Sequence, residues 1–132
     1  MIFGIGCDIT NAERLSKDEH FLEHFVKRAF SENEIKALQQ RKFADAQDKV
    51  LYVAKRFAAK EAVAKAIGSG FCNGLFLSDI EIFNNKEGRP EVTLSEKAKS
   101  ILQKRASKTD FCIFLSLSDD YPYAQAMAVI EV

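Results

Sequence analysis

Asp8, Glu61 and Lys65 are the residues of this 132-residue chain whose types and spacing can do chemistry together. Glu61 and Lys65 lie in Arg56-Phe57-Ala58-Ala59-Lys60-Glu61-Ala62-Val63-Ala64-Lys65-Ala66-Ile67-Gly68, which reads as the end of a helix. At roughly 100° per residue, Val50, Ala54, Phe57 and Ala58 share an apolar face, and Glu61 and Lys65 fall in the middle of it. A carboxylate and an ammonium aimed toward a core are costly unless something pairs with them. A phosphate-bearing ligand with a metal ion would answer both charges. Two carboxylates plus phosphate oxygens suit magnesium, a hard ion that takes oxygen ligands. Lys65 would lie beside Glu61 and neutralise phosphate. The plainer alternative is an intrahelical Glu61–Lys65 pair, with Asp8 a turn residue.

Three other stretches have chemical potential. Gly68-Ser69-Gly70-Phe71-Cys72-Asn73-Gly74 is a glycine-rich loop whose amides can cradle phosphate. It follows a helix and lacks a lysine-serine signature, so a helix stop explains it as well. His20-Phe21-Leu22-Glu23-His24 spells the H-x-x-E-H pattern of inverted zinc metalloproteases, but no third ligand is evident. The competing reading is an amphipathic helix surface. Ser116 and Ser118 share a strand face and can donate to phosphate, or simply lead into a turn.

The elements that must position these groups are legible. Ile2 to Ile9 alternates as a first strand. Phe3, Ile5, Cys7 and Ile9 share one face, and Gly4, Gly6 and Asp8 the other. The glycines leave room for another backbone or a ligand. Ser16-Lys17-Asp18-Glu19 opens a helix through about Lys27, and Ser31-Glu32-Asn33-Glu34 opens another through about Arg41. A longer helix runs from about Asp45 to Ile67, stopped by Gly68. Leu77 to Phe83 and Glu91 to Leu94 read as strands joined by the turn Asn84 to Pro90. Ser95 caps a helix through about Lys108. Phe111 to Ser118 and Tyr123 to Val132 are strands around a turn, Asp119-Asp120-Tyr121-Pro122. Helices mixed with hairpins predict an α+β fold: an antiparallel sheet packed with helices, one domain over residues 1–132.

Composition narrows the function. Net charge is zero, which argues against bulk nucleic-acid binding. From Lys36 to Lys65 eight basic residues face only Asp45, Asp48 and Glu61, so this segment is locally about +5 and suits an anionic ligand or an acidic partner. No apolar run approaches the ~18 residues that span a membrane, and the N-terminal stretch lacks the basic flank of a signal peptide. Cys7, Cys72 and Cys112 have neither metal spacing nor an even count, so free thiols in a reducing cytoplasm are expected.

Gly4-Ile5-Gly6-Cys7-Asp8-Ile9, followed by Arg56-Phe57-Ala58-Ala59-Lys60-Glu61-Ala62-x-x-Lys65-Ala66-x-Gly68, resembles the holo-[acyl-carrier-protein] synthases. These are the short bacterial class of 4′-phosphopantetheinyl transferases, and the likeness spans essentially the whole chain. It implies their fold, with sites at subunit interfaces of a homotrimer. It also implies transfer of 4′-phosphopantetheine from coenzyme A to a serine of apo acyl carrier protein, giving 3′,5′-ADP and supporting fatty acid biosynthesis. Asp8 and Glu61 would hold Mg2+ and Lys65 the same phosphates. Arg56, Lys60, Gly68 and Ser118 would contact the coenzyme. Arg14 and Arg28, flanking the first helix, would meet the acidic carrier protein. Glu61 or a metal-bound water would take the serine proton. One position departs: Asp119 stands where the family commonly has histidine, and a carboxylate cannot replace a cationic phosphate contact. The competing reading from another class is a coenzyme A or nucleotide-binding module without catalysis; a zinc hydrolase built on His20 and His24 is the third.

Overall fold

A computed structural model describes all residues, 1–132. The chain runs β1 (Ile2–Asn11), α1 (Glu19–Ala29), α2 (Glu32–Gln40), α3 (Ala46–Ile67), β2 (Ile80–Asn84), β3 (Pro90–Leu94), α4 (Glu96–Ala106), β4 (Cys112–Asp120) and β5 (Tyr123–Glu131). Single 3₁₀ turns occupy Ala12–Leu15 and Leu77–Asp79. One antiparallel sheet has the order β1-β5-β4, and β2 and β3 form a separate hairpin.

Helix α3 is the axis of the molecule. Asp45 caps its start by accepting from the Asp48 amide, and Gly68 ends it in the left-handed region at φ 89°. Alanines dominate its buried positions: Ala54, Ala58, Ala59, Ala62, Ala64 and Ala66. The sheet answers with small residues. Gly4 and Gly6 of β1 and Ala124, Ala126 and Ala128 of β5 face the helix. A Cβ on Gly4 would lie 1.9 Å from the Ala66 carbonyl oxygen, and one on Gly6 would lie 1.8 Å from that of Ala62. The other backbone that these glycines admit is therefore that of α3. Gly6→Ala must push β1 away from the helix and is expected to cost about 3 kcal/mol, the upper range for overpacking. Urea denaturation of the variant measures this.

The consequence for β1 is that its apolar residues point out of the molecule. Ile5 and Ile9 are 57% and 66% exposed, and Cys7 is exposed. Phe3 is the exception, because the register shifts between Ile2 and Gly4 and turns it against the core. Phe114 of β4 with Tyr123 and Met127 of β5 are also exposed. Phe114 and Ile5 flank Val129, and Cys7 lies opposite Met127, so one apolar sheet face lies open. Buried side chains form two clusters that meet on α3. One joins the second half of α3 to the sheet, α4 and β2–β3; the other joins its first half to α1 and α2.

Some boundaries differ from expectation for local reasons. Helix α1 is capped by Asp18, not Ser16, because the Ser16 hydroxyl is already bonded to the Glu13 carbonyl while Asp18 accepts from the Phe21 amide. The Ser31 capping box forms as predicted. Leu77 to Asp79 curls rather than extends, since Asp79 accepts from both the Phe76 amide and the Ser95 hydroxyl. Asp119 and Asp120 stay in β4, opposite Ala124 and Tyr123, leaving Tyr121–Pro122 as the turn.

Candidate functional site

Asp8 sits where β1 passes α3, because the Gly4–Gly6 contacts bring the strand against the helix backbone. The Lys65 ammonium donates to Asp8 Oδ1 at 3.1 Å and to the Cys7 carbonyl at 2.9 Å. Thr10 Oγ1 donates to the other Asp8 oxygen at 3.2 Å. Glu61, one turn back on α3, lines the same cleft of about 610 Å³ with Asp8, Lys65, Arg14, Lys17, Phe21, Phe25 and Phe57. Burial raises the Glu61 carboxyl above its ordinary pKa, the Asp8 charge adds to this, and Lys65 opposes it. Thus Lys65 is not taken by Glu61 in an intrahelical pair; it bridges to Asp8.

The face of α3 that carries Glu61 and Lys65 is not core. It opens on this cleft, which exists because β1 and α1 leave a gap there. Phe21, Phe25, Phe57 and Glu61 also border a second, more apolar groove of about 720 Å³, with His24, Arg28, Phe71 and Phe76. Arg14, on the 3₁₀ turn after β1, and Arg28, in the last turn of α1, therefore flank one continuous depression.

Other predicted positions lie elsewhere. Arg56 is roughly 140° around α3 from Glu61 and faces a pocket of about 430 Å³ with Arg41, Tyr52, Lys55, Asn84, Arg89 and Pro90. Its guanidinium lies 4.8 Å from the Tyr52 ring centroid, and its Nε is buried with no hydrogen-bond partner. A buried unpartnered donor is costly, which sets Arg56 apart from the other cations of this pocket. Arg41, Lys55 and Arg56 belong to the basic segment of about +5, whereas Tyr52 and Arg89 had no signal in the sequence.

Lys60 is a correction: it is fully buried and cannot face a coenzyme. Its ammonium donates to Glu34 Oε1 at 2.6 Å, to the Leu77 carbonyl at 3.1 Å and to the Ile80 carbonyl. Burial lowers its pKa against the pull of Glu34. Gly68 serves as the helix stop, and Arg105 of α4 holds it by donating to the Ile67 and Gly68 carbonyls at 2.9 and 3.0 Å. Ser118 is on the open sheet face, donating to Gln125 Oε1 at 3.2 Å. Asp119 pairs with Lys55 at 2.9 Å, which places a cation beside the carboxylate that departs from the family's histidine. Within one chain, then, the structure gathers Asp8, Glu61, Lys65 and Arg14, and keeps Arg56 and Ser118 apart from them.

Asp8 and Glu61 are oxygen donors fit for a hard cation, and a bound cation would offset the burial and the Asp8 charge that together raise Glu61. No third His, Cys, Asp or Glu joins them, which leaves the rest of a coordination sphere to other oxygen donors such as water or phosphate. His20 and His24 are exposed on α1 with no third ligand, which leaves the zinc-hydrolase reading without a site.

Comparison with known proteins identifies the fold and the family. A sequence model described as the 4′-phosphopantetheinyl transferase superfamily matches residues 4–126. The chain is 44% identical over 132 residues to a protein of Orientia tsutsugamushi (strain Ikeda) named holo-[acyl-carrier-protein] synthase, covering 99% of this chain and 98% of that one. The crystal structure of the Neisseria meningitidis holo-[acyl-carrier-protein] synthase superposes with a TM-score of 0.83 at 32% identity, covering 100% of both chains. The Bacillus anthracis enzyme, solved in complex with coenzyme A (3′,5′-ADP), superposes with a TM-score of 0.79 at 34% identity, covering 99% of this chain and 97% of that one. An α3 that carries Glu61 and Lys65 against the Asp8 strand, in a fold matched end to end by these enzymes, places this chain in the 4′-phosphopantetheinyl transferase superfamily, among the holo-[acyl-carrier-protein] synthases.

Proposed function

We propose that this chain transfers the 4′-phosphopantetheine arm of coenzyme A to a serine of apo acyl carrier protein, supporting fatty acid biosynthesis. The serine oxygen bonds to the phosphorus that carries the arm, the pyrophosphate link breaks, and 3′,5′-ADP leaves with the bridging oxygen. The serine proton passes to a base. The observation that supports this most is the cleft itself: Asp8 and Glu61 beside one lysine, next to an apolar groove edged by Arg14 and Arg28. A module that merely bound an anion would not set two carboxylates there.

Asp8 and Glu61 would hold Mg2+, which when bound offsets charge on the phosphates. Lys65 moves from Asp8 to the leaving phosphate and stabilises it. Glu61 lines the cleft and is one candidate base for the serine proton. The apolar groove and its arginines suit an acidic helix of the carrier protein.

The basic pocket around Arg56 would take the anionic end of coenzyme A, answering the unpartnered Nε. It is separate from the Asp8 cleft within one chain, which suits a site completed between subunits. The open sheet face of Ile5, Ile9, Phe114, Tyr123 and Met127 supplies an apolar contact for the proposed homotrimer, because so contiguous a patch is unusual on a monomer. Light scattering should return three times 14.8 kDa. The two apolar clusters share α3, which supports reading residues 1–132 as one transferase domain. No helix is long and apolar enough to cross a membrane. The three free, exposed cysteines suit the cytoplasm.

The test is direct. Protein, apo carrier protein, coenzyme A and magnesium are mixed and the carrier's mass is followed. The expected gain is one phosphopantetheine unit per carrier; no gain on long incubation removes the proposal.

A further inference from the structure

The basic pocket has four cationic side chains, Arg41, Lys55, Arg56 and Arg89. Two are fixed by stacking, since the Arg41 and Arg56 guanidiniums each lie 4.8 Å from the Tyr52 ring centroid. Lys55 differs: it alone of the four is held by a carboxylate, Asp119 Oδ2, at 2.9 Å. The geometry of β4 explains why. Leu115, Leu117 and Asp119 alternate onto the face that looks toward α3, and Leu115 and Leu117 line the pocket. Asp119 is the next residue on that face, so its carboxylate stands at the pocket's edge. Glu34 and Glu81, the nearest other acids, are engaged elsewhere, by Lys60 and by the Ser31 hydroxyl.

We infer that Asp119 sets the affinity of this pocket for the coenzyme. It holds Lys55 as a counter-ion at the pocket edge and releases it only when an incoming phosphate takes its place. The inference rests on the reading that this pocket receives the anionic end of coenzyme A. The Lys55 and Asp119 side chains are 32% and 34% exposed, so their pair is weak enough for a phosphate to displace. Displacement nevertheless gives up the Lys55–Asp119 pair, and that loss is subtracted from what the phosphate gains on Lys55. Affinity for any ligand bearing that phosphate is therefore set below what the cations alone would give. Coenzyme A and the product 3′,5′-ADP share the phosphate, so the carboxylate loosens both.

Binding of 3′,5′-ADP, followed by calorimetry on the full chain, reads this without catalysis. Asp119→Asn is expected to bind about three- to tenfold more tightly than the natural protein, with an unchanged melting temperature. Lys55→Met is expected to bind more weakly by a similar factor. In the double variant the gain from Asp119→Asn should largely vanish, since the lysine it would have freed is gone. A natural protein that does not bind 3′,5′-ADP overturns the reading of the pocket itself. Binding that Asp119→Asn leaves unchanged or weakens overturns the role of Asp119 alone. Full additivity in the double variant also overturns it, because the carboxylate would then act as a general field and not through Lys55.

Discussion

Glu61→Gln is expected to lower kcat for phosphopantetheine transfer by about 10²–10³-fold, the loss typical of a displaced acid–base or charge-stabilising group. The same change should raise the melting temperature of the protein without coenzyme. Both results follow from one placement. Glu61 is half-buried beside Asp8, and burial, reinforced by the Asp8 charge, raises its pKa above 4.5. A raised carboxyl binds its proton more tightly in the folded chain than in the unfolded one. Between the ordinary and the raised pKa the folded state holds more protons, so stability falls as pH rises through that window. Above the window the whole penalty is present. Glutamine carries no charge and escapes it, so the variant's advantage should grow from acid toward neutral pH. Thermal unfolding at several pH values, beside the carrier-protein mass assay, reads both effects. Transfer at the natural rate would remove Glu61 from the reaction; a lower melting temperature would show that its charge is compensated in the folded chain.

Lys60→Met is expected to lower folding stability by about 3–5 kcal/mol, the loss typical when one partner of a buried ion pair is removed. Methionine fills much of the volume but leaves the Glu34 carboxylate buried without its cation and the Leu77 and Ile80 carbonyls without their donor. Glu34 cannot simply be removed as well. It also accepts from the Ser31 amide at 3.0 Å and the Ile82 amide at 3.1 Å, so it ties α2 to β2. A double apolar replacement should therefore fail to restore stability. For a domain with 5–15 kcal/mol in total, the single change is severe. Urea denaturation measures the loss, and 3′,5′-ADP calorimetry below the unfolding transition separates the two roles. Unchanged stability with weakened binding would return Lys60 to the coenzyme.

Lys60 also marks where reading along the chain stops. Its position in the Arg56–Gly68 stretch was visible, but its partner is 26 residues away on α2, and helical periodicity says nothing about what fills the opposite side. The first strand shows the same limit. Its alternation was clear, and the glycines announced a close approach. Only the packing of α3 against Gly4 and Gly6 decided that the apolar face would be the open one. Arg41 and Arg89 are distant in sequence, and β3 and β4 had to fold against α3 to make them one pocket.

Local and chemical features are legible without the fold. Asp45 and Gly68 bound α3 because a side-chain acceptor and a left-handed residue settle helix ends without help from the rest of the fold. The Ser31 capping box closes within four residues for the same reason. Glu61 and Lys65 were recognisable as out of place on an apolar face, and the Asp8 and Glu61 motifs carried the family resemblance. Tertiary structure alone decided which charges meet. Lys65 reaches Asp8 and not Glu61, Lys60 reaches Glu34, and Lys55 reaches Asp119. Charge pairing acts over a few ångströms of space, and those distances exist only once strand, helix and hairpin have packed.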